Sequence, residues 1–444
     1  MQDVQGPGRP AVANEGHRGG TNLHEQPAGE QAAAAGDQPA AAVGRVAYRD
    51  VLAVREYRHL FAANVLSLFG DQLSKIALSL LVFQRTGSPL LTAMTYAVSF
   101  LPWVLGGPVL SAYADRFPRR SVLLTCDLTR AALIGLLAIP WLPTGSLIAV
   151  LFLATMLAPP FRSARAAVLP DILSGEHFIV ANGLDSIVRQ LMQVVGFLAG
   201  GAIVAILSPR GGLIVDAGTF ALSAIVIRTG VRHRPAPERD GPPATIWRDT
   251  VAGARFVFAD RALRAYVLLF WVSAAFTYAP EGLAAPYARA LGGGPTAVGV
   301  FLAAAPIGVI TGSIVLSRLC PPDLRLRLLV PFALLSCLAL VPVLWLSSLP
   351  LTVALLMVAG LGSAFAVVLN AMFVREVPAG YRGRAIGVAA AGGYTAQGIA
   401  TISAGALAEH FATRTAVGLS GVVGTLLMLV VAAFWPADLI RKQS

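Results

Sequence analysis

The stretch SAYADRFPRRSVLL, residues 111–124, places four charged side chains within six positions: Asp115, Arg116, Arg119 and Arg120. The run before it, LLTAMTYAVSFLPWVLGGPVL, and the run after it, SVLLTCDLTRAALIGLLAIPWL, are nearly free of charge. A run of about 20 mostly apolar residues is the length that a helix needs to cross a bilayer. The stretch therefore predicts a short polar turn that joins two membrane-spanning helices.

The composition indicates a protein whose natural solvent is lipid. Of the 444 residues, 56% are hydrophobic and only 13% are charged, whereas a soluble protein carries about 25% charged residues. The formal net charge of +11 would suit a nucleic-acid partner. The arginines, however, are scattered between apolar segments and form no continuous basic stripe, which argues against nucleic-acid binding.

Twelve apolar runs are each long enough to form a transmembrane helix. Joints rich in Gly and Pro separate them, such as TGSP at 86–89 and SPRGG at 208–212. Helices are expected because backbone polar groups in lipid must be satisfied within their own segment. The predicted fold is an all-α membrane protein with twelve transmembrane helices in two six-helix halves. The runs lie near 58–84, 91–114, 121–141, 145–167, 180–206, 211–230, 264–288, 295–317, 326–346, 350–374, 384–409 and 414–436.

Arginines are concentrated at alternate joints, which predicts the orientation of the chain. One set of joints contains 19 arginines and the opposite set contains four. Because basic loops remain on the cytoplasmic side, the first set is expected in the cytoplasm, and an even number of spans places both termini there. The rich set lies at 116–120, 162–165, 228–264, 318–327 and 375–384, and the poor set is Arg85, Arg210, Arg289 and Arg414.

The longest internal polar segment, residues 231–263, separates a six-helix half at 56–230 from another at 264–436. Its second part, TIWRDTVAGARFVFADRAL, places apolar residues near one helical face. This predicts an amphipathic helix at the inner membrane surface, with a plain solvated linker helix as the alternative. Residues 1–55, rich in Gly, Ala, Pro and Gln, are expected to form a disordered cytoplasmic tail, and residues 437–444 a short second tail.

The charged turn, set between two six-helix halves, resembles the major facilitator superfamily over residues 56–436. The superfamily motif at this turn is Gly-x-x-x-Asp-Arg-x-Gly-Arg-Arg. Here Asp115 and the three arginines match, and Ser111 and Pro118 stand in place of the glycines. The resemblance implies a latch: the carboxylate lies near the positive N-terminal end of a helix from the other half, and the arginines add contacts among the helix ends. The alternative is a basic anchor that only fixes topology.

A second superfamily motif, the antiporter motif Gly-Pro-x-x-Gly-Gly, is approximated by GFLAGG at residues 196–201. Gly196, Gly200 and Gly201 match, whereas Phe197 replaces the proline. Close helix packing through small residues is the alternative explanation. Further stretches, among them LSLFGDQLSKIAL, LPDILSGEHFIVANGLDS and RGRAIGV, resemble the bacterial exporters that include enterobactin exporters and macrolide-efflux proteins. This resemblance favours export over uptake.

Ionisable residues inside the predicted spans are candidates for function, because charges are costly in lipid. Asp71 and Lys75 lie four residues apart on the first span and so share a helix face. Asp71 is either a carboxylate that takes up and releases a proton as the cavity alternates, or half of a fixed ion pair with Lys75. Two further pairs have the spacing of structural ion pairs near the cytoplasmic side: Asp127 with Arg130, and Asp185 with Arg189.

Two more carboxylates complete the candidates for proton coupling. Glu281 lies between two prolines in TYAPEGLAAPYA, where a broken helix would expose it to a cavity. Asp216 on the sixth span is a weaker candidate, since it also suits a brace against a neighbouring helix. The polar side chains expected to line the cavity are Gln190, Gln193, Asn370, Tyr394 and Gln397.

No residue pattern indicates catalysis, a metal or a cofactor. Neither Lys75 nor Lys442 lies in a nucleotide-binding motif, and the six histidines show no metal-ligand spacing. The three cysteines, Cys126, Cys320 and Cys337, match no zinc or disulfide framework and are expected to be small apolar fillers.

The sequence therefore predicts a secondary active transporter in the cell membrane. The expected activity is proton-coupled export of a small amphipathic organic molecule, such as a drug, an antibiotic or a siderophore-like metabolite. The expected partners are this substrate, protons and membrane lipid, and the expected state is a monomer. Two alternatives remain: proton-coupled uptake of a small solute, and a membrane sensor or scaffold that keeps the fold without transport.

Overall fold

The computed structural model describes residues 46–106, 116–235 and 246–435, without the side chains of 105–106 and 246–249. Asp115 of the charged turn, the tail at 437–444 and the first 45 residues lie outside the described residues. The end of the expected N-terminal tail is not disordered: it forms a short helix, α1 (Tyr48–Ala53), and the first residue of the next helix. The reason is an apolar contact, since Val51 is buried against Leu169 and Leu173.

All regular elements of the described residues are helical, as predicted from the apolar runs. In the first half, a 3₁₀ turn (Val98–Phe100) and a π-helical turn (Pro102–Gly106) continue the third helix. The helices of this half are α1 (Tyr48–Ala53), α2 (Arg55–Thr86), α3 (Pro89–Ala97), α4 (Arg119–Leu137), α5 (Thr144–Thr155), α6 (Ala158–Ile172) and α7 (Gly175–Gly230).

The second half begins after a helix in the expected linker, α8 (Ile246–Ala259). Short 3₁₀ turns follow three of its helices, at Ala279–Leu283, Val341–Leu344 and Ala379–Tyr381, and a π-helical turn lies at Val315–Leu319. The helices are α9 (Arg261–Tyr278), α10 (Ala284–Ala290), α11 (Pro295–Ile314), α12 (Pro322–Leu338), α13 (Leu349–Ser363), α14 (Phe365–Glu376), α15 (Arg382–His410) and α16 (Thr413–Ala433).

The predicted joint TGSP forms the turn between α2 and α3. Gly87 ends α2 with a left-handed φ of 63°, a conformation that glycine adopts without steric cost. Ser88 then caps α3, because its hydroxyl accepts a hydrogen bond from the Leu91 N–H at 3.1 Å, and Pro89 occupies the first helical position. Local sequence chemistry thus sets this reversal of the chain.

Eight helical segments of the described residues are long and apolar enough to cross a membrane by length and composition, so the chain is a multi-pass membrane protein. Twelve spans are not confirmed by this criterion. One reason is α7, which is continuous over 56 residues although its backbone breaks at Ser208 (φ 70°, ψ 167°), within the predicted joint SPRGG. A second reason is α4, whose four charged residues include Asp127 and Arg130.

The helices of the second half approach one another through glycines. A β-carbon on Gly308 of α11 would lie 2.0 Å from the Met357 carbonyl oxygen of α13, and one on Gly360 would lie 2.1 Å from the Ala305 carbonyl oxygen. Only glycine permits backbones to pack this closely. The α11–α13 pair is therefore held by main-chain contact rather than by interlocking side chains.

The helices have an arginine-rich end, which contains Arg119, Arg234 and Arg325, and an arginine-poor end, which contains Arg85, Arg289 and Arg414. At the arginine-rich end, Arg234 donates hydrogen bonds to the Glu56 carboxylate at 2.6 and 3.1 Å. The hydrogen bond to Glu56 raises the pKa of Arg234 above its ordinary value. This pair ties the chain that leaves α7 to the start of α2.

The two halves contact each other at the arginine-poor end. A β-carbon on Gly201 of α7 would lie 3.0 Å from the Gly299 α-carbon of α11. Nearby, Glu409 at the end of α15 accepts hydrogen bonds from the Ser88 hydroxyl and, at 3.0 Å, from the Leu90 N–H of α3. A carboxylate at the start of a helix is favoured by the partial positive charge there. We call the contact of Glu409 with Ser88 and Leu90 the Glu409 clasp.

Candidate functional site

A cavity of about 350 Å³ lies between the two halves. Its size falls within the range of about 300–1,000 Å³ that is typical of small-molecule sites. Most of its lining belongs to helices of the first half. The second half contributes Tyr278, Glu281, Tyr394 and Gln397.

An ion pair between Asp71 and Arg130 crosses from α2 to α4 at the cavity wall. The Arg130 guanidinium also lies 4.0 Å from the centre of the Phe220 ring. Of the two alternatives for Asp71, the fixed ion pair with Lys75 is therefore not the contact that the structure shows. Arg130 approaches from a neighbouring helix with a planar fork of donors, which suits a carboxylate better than a lysine on the same helix does.

Lys75 lies one turn closer to the arginine-poor end and has a different environment. Its ammonium donates to Gln72 Oε1 at 3.2 Å and lies 5.6 Å from the centre of the Tyr96 ring. The charges that act on it include those of Glu281 and Asp71, but neither is within ion-pair distance among the described residues. Lys75 thus acts on the charges of Glu281 and Asp71 at longer range. Its ammonium contacts the Gln72 amide oxygen and the Tyr96 ring.

Glu281 connects the two halves at the cavity. The helix is interrupted at Ala279–Leu283, as the two flanking prolines predicted, and Glu281 lies in that 3₁₀ turn. The Tyr96 hydroxyl of α3 donates a hydrogen bond to Glu281 Oε2. The other oxygen, Oε1, is buried and has no hydrogen-bond partner in the part of the chain that the structure describes. Glu281 Oε1 therefore lacks the donor that a buried carboxylate oxygen requires.

The expected pairs of Asp127 with Arg130 and of Asp185 with Arg189 are wrong. Asp127 accepts hydrogen bonds from the Ser223 hydroxyl at 2.5 Å and the Ser67 hydroxyl at 3.5 Å. Asp185 is bound by Arg165 of α6, at 2.6 and 2.7 Å. In both cases a side chain from a neighbouring helix is better placed than the residue one turn away. Sequence spacing identifies only partners on the same helix.

Asp216 lies outside the cavity lining and is hydrogen-bonded between two helices. Its carboxylate accepts hydrogen bonds from the Ser74 hydroxyl of α2 and, at 3.2 Å, from the Thr219 hydroxyl. A β-carbon on Gly70 would lie 2.1 Å from Asp216 Oδ1, so the glycine makes room for it. The contact fastens α7 to α2.

Arg162 and Arg189 both line the cavity. Arg162 was expected at a joint, but α6 continues to Ile172, so Arg162 lies about 15 Å inside the end of the helix at 1.5 Å per residue. Its guanidinium lies 4.6 Å from the centre of the Trp103 ring. Among the residues that the structure describes, neither arginine has a carboxylate within ion-pair distance.

The predicted polar lining is mostly confirmed. Gln190, Gln193, Tyr394 and Gln397 line the cavity, whereas Asn370 does not. Asn370 instead lines a separate apolar cavity of about 220 Å³ between α9, α14 and α15. No group of three metal-ligating side chains occurs within the described ranges.

Two arginines of the charged turn, Arg119 and Arg120, contact the first half. Arg119 donates to the Ala167 carbonyl at 2.7 Å and to Asp171 at 2.5 Å, both on α6. Arg120 donates to the Arg228 carbonyl at the end of α7, at 2.5 Å. These contacts gather helix ends at the arginine-rich end. The expected contact with the other half belongs to Asp115, which is outside the described residues.

The family model of the Major Facilitator Superfamily matches residues 60–348 and 282–442. The chain belongs to the Major Facilitator Superfamily. This confirms the resemblance that the charged turn suggested, and the superfamily consists of transporters rather than enzymes.

Curated members of the superfamily place the chain near bacterial exporters. It is 28% identical over 391 residues to the multidrug efflux pump Tap of Mycolicibacterium fortuitum, which covers 85% of this chain and 94% of that protein. It is 27% identical over 205 residues to the uncharacterized MFS-type transporter YkuC of Bacillus subtilis (strain 168), a match that spans 45% of this chain and 47% of YkuC.

Solved structures of other transporters show the same fold. A bacterial homolog of the human lysosomal transporter Spinster, in an inward-facing and unoccupied conformation, aligns with a TM-score of 0.66 at 13% identity, over 86% of this chain and 96% of that one. A mutant of the nucleoside transporter NupG aligns with a TM-score of 0.67 at 13% identity, over 85% and 100%.

The three glycines that match the superfamily's antiporter motif act in helix packing. A β-carbon on Gly196 would lie 2.8 Å from the Gln72 β-carbon, and one on Gly200 would lie 3.2 Å from Ile76, both on α2. Gly201 faces α11 instead. In this superfamily member the motif therefore joins α7 to α2 and to the second half, which agrees with the packing alternative.

Proposed function

We propose that this superfamily member is a proton-coupled exporter of a small amphipathic organic molecule. It acts as a monomer in the cell membrane, with twelve spans and with both termini and residues 231–263 in the cytoplasm. The cargo binds in the cavity between the halves. The likeness to the efflux pump Tap over nearly the whole chain supports export, and the 19-to-four distribution of arginines supports the orientation.

The unsatisfied carboxylate oxygen of Glu281 is the observation that supports proton coupling. A buried carboxylate oxygen without a donor is unfavourable, and Oε1 of Glu281 is in that position. A proton supplies the missing donor when no cargo is bound. The Tyr96 hydroxyl that holds the other oxygen comes from the opposite half, so movement of the halves changes the environment of this carboxylate. Asp71 is better suited to positioning, because Arg130 already neutralises it.

The charged turn at residues 115–120 is proposed as the gating latch at the arginine-rich end. The hydrogen bonds of Arg119 and Arg120 to helix ends of the first half support this proposal, and the resemblance assigns the contact with the second half to Asp115. Asp115→Asn should preserve folding and slow transport. Transport at the normal rate in reconstituted vesicles would favour the topology anchor instead.

Transport in inside-out vesicles tests the coupling. Vesicles with an imposed pH gradient are given a panel of fluorescent drugs, both cationic and zwitterionic. The wild-type chain should accumulate at least one of them. Glu281→Gln should lose accumulation driven by the gradient and retain exchange of the drug across the membrane without a gradient. Glu376→Gln, a change of an exposed carboxylate at the end of α14, is the matched control. Full accumulation by Glu281→Gln would contradict the assignment.

A further inference from the structure

Arg162 and Arg189 form a cationic pole in the cavity that the proposed function does not use. Both line the cavity, and the charge of Arg189 acts on Arg162 together with that of Arg130. Asp71 is the carboxylate that acts on Arg162, but Arg130 already binds it. Within the described ranges, neither of the two arginines has an ion-pair partner. Two like charges that face one cavity favour an anionic ligand.

The positions of these two arginines along their helices differ from those of basic residues that fix membrane orientation. Arg189 follows the start of α7 at Gly175 by about 21 Å, and Arg162 precedes the end of α6 by about 15 Å, at 1.5 Å per helical residue. Basic residues that fix orientation lie in loops and at helix ends. Arg162 is half-buried and Arg189 is exposed, and both lie along the cavity lining, where a ligand or solvent can meet their charge.

An aromatic row connects the cationic pole with Glu281. Its members, in order, are Trp103, Tyr394, Phe100 and Tyr96. The ring centres of successive members are 5.8, 6.1 and 5.8 Å apart. Arg162 lies over the ring at one end of the row, and Glu281 accepts the hydroxyl at the other end. The row provides an apolar surface between opposite charges.

The geometry points to an aromatic zwitterion as the cargo, with its anionic group between Arg162 and Arg189 and its ammonium at Glu281. The ammonium supplies the donor that Oε1 lacks, and the ring system lies along the aromatic row. Charge-assisted hydrogen bonds at each end would fix the orientation of the molecule. Lys75 does not occupy the acidic end, because its ammonium donates to Gln72.

This inference rests on the proposed function and adds a reason for the coupling. A proton and a cargo ammonium compete for the same oxygen of Glu281, so the carboxylate holds one or the other. An exchange of cargo for protons requires exclusive binding of this kind. The carrier then moves cargo in one direction across the membrane and protons in the other. A singly charged anion would lack this competition.

Three forms of one fluorescent probe test the cargo class. Ciprofloxacin carries a carboxylate and a piperazinium; its methyl ester keeps only the cation, and its N-acetyl form keeps only the anion. Binding to the purified full-length chain in detergent is measured by fluorescence polarisation, without a proton gradient. The wild-type chain should bind the zwitterion about tenfold more tightly than either derivative, because each charge-assisted contact is worth that factor.

Variants assign each charge to its partner. Arg189→Gln should remove the advantage of ciprofloxacin over the ester, and Glu281→Gln should remove its advantage over the N-acetyl form. Arg189→Lys should restore part of the first advantage. Arg162→Gln should act as Arg189→Gln does, and Arg289→Gln, at an exposed position near the end of α10, should change nothing. Thermal unfolding of each variant reports whether it is folded.

The inference would be overturned by equal binding of the three forms, by binding of none, or by variants that weaken all three to the same extent. The proposed function fails separately. If the binding pattern holds and vesicles show no accumulation driven by a proton gradient, the cargo class stands and the coupling does not. If accumulation is proton-driven and the ester is preferred, the coupling stands and the zwitterion does not.

Discussion

The two halves of this transporter have similar helical architectures and stabilise them with different chemistry. The first half contains partly buried ionic contacts: Asp71 with Arg130 and Asp185 with Arg165. In the second half, the buried polar contacts include the hydroxyl pairs Ser273–Ser336, at 3.0 Å, and Tyr287–Thr352, at 2.7 Å. Its helices α11 and α13 pack backbone against backbone through glycines.

This difference indicates that the halves have separate tasks. Charges that face the cavity are concentrated on the first half, which contributes one carboxylate, Asp71, and four cations, Lys75, Arg130, Arg162 and Arg189. Glu281 is the charged side chain that the second half presents to the cavity among the described residues. The first half therefore forms a polar binding wall, and the second half forms a rigid apolar body with a single carboxylate. The predictions below test this contrast.

The largest effect is expected from breaking the Asp71–Arg130 pair. Asp71→Asn leaves the guanidinium of Arg130 buried without its carboxylate, which should lower the free energy of unfolding by about 3 kcal/mol. Arg130→Leu should cost a similar amount. The double variant should recover much of the loss, because no single charge then remains buried. SDS titration of the purified chain in mixed micelles gives the three free energies.

The identity of the partner is tested by a second double variant. Asp71→Asn combined with Lys75→Met should not recover stability, because Lys75 is bound to Gln72 and Arg130 remains unpaired. The opposite result would be recovered stability when Asp71→Asn is combined with Lys75→Met, and no recovery when it is combined with Arg130→Leu. Asp71 would then pair with Lys75 within α2, and the contrast between the halves would lose its main example.

A smaller loss is expected when the glycine contact of the second half is filled. Gly308→Ala places a methyl group 2.0 Å from the Met357 carbonyl oxygen, so α11 and α13 must separate. Overpacking of this kind costs about 1–3 kcal/mol. Gly183→Ala in α7 of the first half is the matched control, because a β-carbon there meets nothing within 4 Å. Equal destabilisation of the two variants would show that close glycine packing is not what holds the second half.

The hydroxyl contacts of the second half should be weaker still. Ser336→Ala removes the contact with the Ser273 hydroxyl and a hydrogen bond to the Ala333 carbonyl at 2.7 Å. The loss in free energy of unfolding should be about 1 kcal/mol, the usual net worth of a neutral hydrogen bond. The same SDS titration measures it. A loss as large as that of Asp71→Asn would contradict the view that neutral contacts dominate this half.

Local sequence predicted the features that depend on neighbouring residues. The joint TGSP became a glycine-terminated helix followed by a capped one. The joint SPRGG became the break at Ser208, and the two prolines near Glu281 became an interrupted helix. In each case the backbone conformation follows from residues within one turn. The helical class and the charged turn followed from the same kind of information.

Partners across helices were not predictable from one sequence. Asp127 and Asp185 were each assigned a partner within four residues, and Asp71 had such a partner as one of two alternatives. Each is instead bound by side chains from other helices. Arg162 was assigned to a joint because the end of α6 was placed too early. A usable signal was present: Arg162 and Arg165 are three residues apart, so they share a broad helix face that reaches both Asp185 and the cavity.

The smallest effect concerns the Glu409 clasp, where the two halves meet at the arginine-poor end. Glu409 is exposed, and it accepts hydrogen bonds from the Ser88 hydroxyl and the Leu90 N–H at the start of α3. Glu409→Gln keeps an acceptor oxygen and removes only the charge. Because a carboxylate at an exposed helix N-terminus contributes less than about 1 kcal/mol, the variant should remain folded and open more often at this end.

Labelling of a cavity cysteine measures this opening. Ser99→Cys is a conservative change in the cavity lining, and the natural Cys126, Cys320 and Cys337 are buried. In the orientation proposed above, a membrane-impermeant maleimide added outside intact cells reaches the new cysteine only when the arginine-poor end opens. In the Ser99→Cys background, Glu409→Gln should increase the labelling rate about two- to fivefold, the population change that corresponds to the loss of a weak helix-end charge. Glu376→Gln removes an exposed carboxylate from α14, away from the clasp, and should leave the rate unchanged. Equal rates in both variants would mean that the apolar contact through Gly201 and Gly299 closes this end by itself, and that charge acts only on the first-half wall of the cavity.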